Sequence, residues 1–103
     1  MIEVQILIPM TDNQGQAFDR NHDDVFIDFL TNEFGGCSQL PGSIMGSWKN
    51  AGVTYHDQNR IFMVVISGML AQATQLRSAV DFAKSHYEQL AIYVRYLGQG
   101  EIL

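Results

Sequence analysis

Ile2, Val4, Ile6 and Ile8 alternate with Glu3, Gln5, Leu7 and Pro9, the period of a strand with one strongly buried face. Residues 11–20 are polar and carry Gly15, and read as a loop. The period then changes to that of a helix. Val25, Phe26, Phe29, Leu30 and Phe34 form an apolar stripe, with Asn21 placed to cap it and Asp23 and Asp24 suited to its positive end. Gly35-Gly36 stops the helix.

Residues 37–43 are turn-rich around Pro41-Gly42. Residues 44–49 read as a strand, Asn50-Ala51-Gly52 as a tight turn and 53–56 as the start of the partner strand. Asp57-Gln58-Asn59 is expected to interrupt that partner as a bulge or second turn. Residues 60–67 resume it, and Ile61-Phe62-Met63-Val64-Val65-Ile66 has no polar side, which predicts burial on both faces. A second helix is expected over about residues 70–89, with Leu76, Val80, Ala83, Tyr87 and Leu90 along one stripe and Arg77, Asp81, Lys84 and Glu88 off it. Residues 91–97 form a last strand, with Ile92, Val94 and Tyr96 on one face and Tyr93, Arg95 and Leu97 on the other. The order βαββαβ predicts one α+β domain over residues 1–103. It is a ferredoxin-like plait with a four-stranded antiparallel sheet, both helices on one face and the two most apolar strands central.

Two short motifs add to this reading. Phe34-Gly35-Gly36-Cys37-Ser38 closes the first helix, and Gly46-Ser47-Trp48 leads into the glycine-containing turn. Together they resemble a set of small ferredoxin-like proteins that includes the family labelled DUF3574, over about residues 22–67. The resemblance implies the fold. It brings no activity and no catalytic residue, although an acid often stands in such proteins where Asp57 stands here.

Composition narrows the function. The chain has 103 residues, 47% of them hydrophobic and only 17% charged, so a single core can hold it together. Low charge in a small apolar chain favours hiding surface in an oligomer. Residues 1–33 hold seven acids and one base, Arg20, whereas the other seventy hold four acids and five bases. A chain with two lysines and a net charge of −5 lacks the basic surface that nucleic acid or an anionic membrane requires. The single Cys37 excludes an internal disulfide. Met1-Ile2-Glu3 does not open a signal peptide, and the longest apolar run, 61–66, is far short of the ~20 residues of a membrane span. A cytoplasmic location is expected.

Most chemical motifs fail on inspection. Asp19, Asn21 and Asp23 have the spacing of a calcium loop, but Asp24 and Leu30 occupy the positions of its glycine and glutamate. His22, His56 and His86 lie thirty or more residues apart, and no helical His pair at spacing four exists. There is no Gly-x-Ser-x-Gly elbow or phosphate loop, and no cofactor is expected. A base-stacking plait would carry aromatics on its third strand, which is aliphatic here apart from Phe62.

What remains is a cluster and a face. If the turn closes as expected, Trp48 falls opposite Tyr55 and Ser47 near His56. An irregular 57–59 would then turn His56, Asp57 and Arg60 toward one hollow, a pairing of imidazole, carboxylate and guanidinium suited to acid–base work on an anion. The same residues also read as structure: a cross-strand aromatic pair and a turn salt bridge between Asp57 and Arg60. The sheet face without helices would present Leu7, Tyr93, Leu97, Gln5 and Arg95, and Leu7, Trp48, Tyr55, Tyr93, Arg95 and Leu97 are the residues expected to meet a ligand or a second copy. That area is rarely left bare, and a homodimer packed face to face would cover it, extended by the tail Ile102-Leu103. Three functions stay open: a homodimeric module binding a small molecule or a protein, a dimeric α+β barrel enzyme with an apolar substrate between the sheets, and an accessory subunit.

Overall fold

The computed structural model describes residues 1–99. In chain order the elements are β1 (Ile2–Pro9), α1 (Arg20–Phe34), β2 (Ser38–Gln39), β3 (Ile44–Asn50), β4 (Val53–Ile66), α2 (Ala73–His86) and β5 (Tyr93–Gln99). All strands pair antiparallel in the order β2-β4-β1-β5, and β3 pairs with the first half of β4. This is the ferredoxin-like α+β class that the pattern predicts, with β1 and β4 central. The sheet has five strands rather than four, because the two-residue β2 occupies the edge beside Phe62 and Met63. Pro41, with no backbone donor, and Gly42, at φ 81°, end that edge at once.

The core lies between the sheet and the two helices. Val4, Ile6 and Ile8 of β1 and Phe62, Val64 and Ile66 of β4 meet Phe26 and Leu30 of α1 and Leu76, Ala79, Ala83 and Tyr87 from α2 and its C-terminal cap. Every second residue of the central strands faces the helices, as the period of two demands. Asp19, and not Asn21, caps α1: its Oδ1 accepts from the His22 backbone N–H at 2.8 Å. Gly35, at φ 80°, closes the helix as expected. Val25, on the predicted stripe, is exposed.

Three expectations about β4 and α2 are corrected. Residues 57–59 do not interrupt β4, because Gly46, Met45 and Ile44 of β3 pair with them in unbroken register. Residues 61–66 are buried on both faces only at the start of the run: on the open side Ile61 is buried, Met63 half-buried and Val65 38% exposed, while Phe62, Val64 and Ile66 are buried on the helix side. The second helix is shorter than residues 70–89, since Glu88 turns the backbone to φ 53° and leaves Leu90 wholly exposed. The tail Glu101-Ile102-Leu103 lies outside the described residues.

Candidate functional site

The β3–β4 hairpin runs past the sheet as a two-stranded arm. Its tip is a two-residue turn in which Ala51 (φ 51°) and Gly52 (φ 80°) both take the left-handed conformation that matches strand twist. Trp48 pairs with Tyr55 and Ser47 with His56, as the sequence predicts. The Trp48 and Tyr55 rings stack at 4.5 Å and 20°. The Trp48 indole Nε1 donates to the Asp57 carboxylate at 2.6 Å, which fixes both side chains.

Between the base of this arm and the helix-free face of the sheet lies a hollow of about 640 Å³. Leu7, Pro9 and Tyr93 line it from β1 and β5. Trp48, Asp57 and Asn59 line it from the hairpin, and Gln89, Ala91 and Ile92 from the segment before β5. The volume falls within the range of small-molecule sites, and the walls follow their usual composition of apolar surface with a few fixed polar groups.

Of the expected ligand or dimer face, Leu7, Trp48 and Tyr93 come together in this hollow. Tyr55 backs Trp48. Arg95 and Leu97 lie further along the open face, opposite Gln5 and Glu3 of β1. The triad His56, Asp57 and Arg60 is not brought together. Alternation along the continuous strand sends His56 to the opposite side of the arm from Asp57. Arg60 points into the helix side, where Nη1 meets Asp23 Oδ2 at 3.0 Å and Nη2 donates to the Pro9 carbonyl at 2.9 Å. The Tyr87 hydroxyl donates to the other oxygen of Asp23 at 2.8 Å. Burial, then the hydrogen bond to Asp23 and its charge, push the Tyr87 phenol far above its ordinary range, against a smaller opposing effect of Arg60.

Asn59, Gln89, Ala91 and Ile92 escaped the sequence reading. Asn59 shares the parity of Asp57 and Tyr55, a signal hidden by the expected bulge. Residues 89–92 carry no local signal, since only the early end of α2 brings them to the hollow. Also missed is a second hollow of about 600 Å³ at the start of α1 and the end of α2, around Phe18, His22 and His86. No group of three or more His, Cys, Asp or Glu side chains suited to a metal occurs among the described residues.

No family model and no curated protein matches the sequence. Solved structures do resemble it in shape. A phage SAM lyase in its apo state superposes with a TM-score of 0.68 at 8% identity, covering 93% of this chain and 78% of that one. The phage SAM lyase in complex with S-methyl-5'-thioadenosine gives 0.65 at 9% identity, over 93% and 79%. The divalent cation tolerance protein CutA1 from Thermus thermophilus gives 0.63 at 15% identity, over 100% and 88%. At these identities the likeness establishes the ferredoxin-like fold alone. No helix among the described residues is long and apolar enough to cross a membrane.

Proposed function

We propose that this chain is a self-associating, cytoplasmic ferredoxin-like module that binds a small, flat, largely apolar molecule in the hollow between the hairpin arm and the open sheet face. A second copy on that face completes the enclosure. The observation that carries the reading is the hollow itself: it opens onto a sheet face that no helix covers, and its one carboxylate, Asp57, is held in place by Trp48. A fixed charged group on a largely apolar wall orients a ligand. The enzyme alternative draws less support, because His56 and Arg60 lie away from Asp57.

The phage lyase bound to S-methyl-5'-thioadenosine supplies the first ligand to try, a flat heterocycle with an apolar thioether arm. Trp48 is the only tryptophan of the chain, so its emission reports on the hollow directly. Titration with S-methyl-5'-thioadenosine is expected to change that emission saturably, and native mass spectrometry to show a dimer carrying the added mass. An unchanged emission would reject this ligand, and a monomer at every concentration would reject the second copy.

A further inference from the structure

Along β3 every second residue takes the hollow side of the sheet, so Ile44, Gly46, Trp48 and Asn50 share that side with their β4 partners Asn59, Asp57, Tyr55 and Val53. Gly46 is the odd member. A glycine inside a strand weakens it, and marks an irregular backbone or a place where another group approaches closely. The pairing runs unbroken from Ile44 to Asn50, and Gly46 lies outside the left-handed region. A Cβ built on it would meet nothing nearer than the Asn59 Nδ2 at 3.8 Å, an ordinary contact distance. Nothing in the folded chain therefore demands glycine here. Its missing side chain instead lowers the floor of the hollow between Trp48 and Asn59, across from Asp57.

The charge beside that slot is unopposed. Asp57 accepts the Trp48 indole N–H on Oδ2, and its Oδ1 has no partner among the described residues. No ion pair of the described residues includes it. Lys49 and His56 take the other side of the arm by alternation, and Arg60 is held on the helix side by Asp23. Arg95 shares the open face but stands opposite Gln5, whose β4 partner Met63 is six residues from Asp57, about 20 Å along the strand. The other walls supply the rings of Trp48 and Tyr93 and the neutral amides of Asn59 and Gln89. Ring faces attract cations, and a carboxylate with no base beside it attracts them too and repels anions.

We infer that the ligand of this hollow carries a compact organic cation, such as an alkylammonium head, seated over Gly46 against Asp57 and the Trp48 ring. Its apolar body lies against Leu7, Ile92 and Tyr93. The inference rests on reading the hollow as a ligand site, and adds the sign of the ligand's charge and the place where that charge sits. A neutral compound of the same shape gains the apolar contacts alone. The cation gains the carboxylate and the ring as well.

The test compares two compounds of one shape, 4-(trimethylammonio)phenol and 4-tert-butylphenol, by Trp48 emission below the pH at which either phenol ionises. The cation is expected to bind about tenfold more tightly. Asp57→Asn keeps an acceptor for the Trp48 indole but removes the charge, and is expected to bring the two affinities close together. Gly46→Ala is expected to melt no lower than the wild type, because Ala has less chain entropy to lose, and yet to weaken the cation severalfold by filling the slot. Equal affinities in the wild type would overturn the cation and leave the hollow a ligand site. A Gly46→Ala chain that binds the cation as the wild type does would overturn the slot. An emission unchanged by both phenols would overturn the inference too, and S-methyl-5'-thioadenosine then shows by itself whether the hollow takes a ligand. The wild-type comparison decides the sign of the charge whether or not either variant folds.

Discussion

Arg60 is the residue whose role the pattern misassigns most instructively. Read locally, it is a turn residue paired with Asp57. In the fold it is buried on the helix side of β4, tied to Asp23 and the Pro9 carbonyl, with Tyr87 completing the shell around Asp23. Removing one partner of such a pair strands the other charge, so Asp23→Ala is expected to cost about 3–5 kcal/mol in urea unfolding. The double replacement Asp23→Leu with Arg60→Met should cost less than that single change, because no charge is then left alone. Tyr87 adds a pH dependence. Its phenol is held above the unfolded value of about 10, so the folded state keeps a proton that the unfolded state releases. The stabilisation is complete below about pH 10 and declines as pH rises beyond it. Of the four tyrosines, one should stay un-ionised in an ultraviolet titration until the chain unfolds, and Tyr87→Phe should remove that delayed step. None of this network was legible in the sequence, since its members are brought together by packing of α1, β4 and the end of α2.

At the scale of elements, the pattern locates strands and helices well and their ends less well. The apolar alternation of β1, the stripe of α1 with its glycine stop, and the hairpin register from its turn as far as Ser47 and His56 were all readable, because each is a local consequence of side-chain period or turn chemistry. The start of α1 was not, since Asp19, Asn21 and Asp23 all have capping side chains. Geometry separates them: only Asp19 sits three residues before the N–H it accepts from. Asp19→Ala is therefore expected to lower stability by about 1 kcal/mol, while Asn21→Ala stays within about 0.5 kcal/mol of wild type in the same thermal melts. The hairpin turn offers the opposite sign. Ala51 occupies a left-handed position that Asn tolerates better, so Ala51→Asn should stabilise the arm by several tenths of a kcal/mol, seen as a higher melting temperature.

The whole molecule presents two unlike faces, one sealed by helices and one not. On the open face Gln5 sits between Met63 of β4 and Arg95 of β5, 7% exposed, with its Oε1 lacking a partner among the described residues. A buried acceptor without a donor costs stability. The same face carries Tyr93 and Val65 in the open. Its existence was legible in the sequence, because two helices on one side of a plait leave the other side bare. The hollow at its end was not, because its depth comes from the unbroken β4 and the early stop of α2. Val65 gives the cleanest handle on assembly, since it lies on this face opposite Glu3 and outside the walls of the hollow. Val65→Lys places a charge where the isolated chain is already 38% exposed, so the fold should change in stability by no more than about 0.5 kcal/mol. In a copy-on-copy interface the same change brings unpaired charge into an apolar contact, which is strongly unfavourable. Sedimentation at matched concentrations is expected to show dimers for the wild type and monomers for Val65→Lys, with unchanged circular dichroism. A variant that assembles as the wild type does would mean that some other surface holds the copies together.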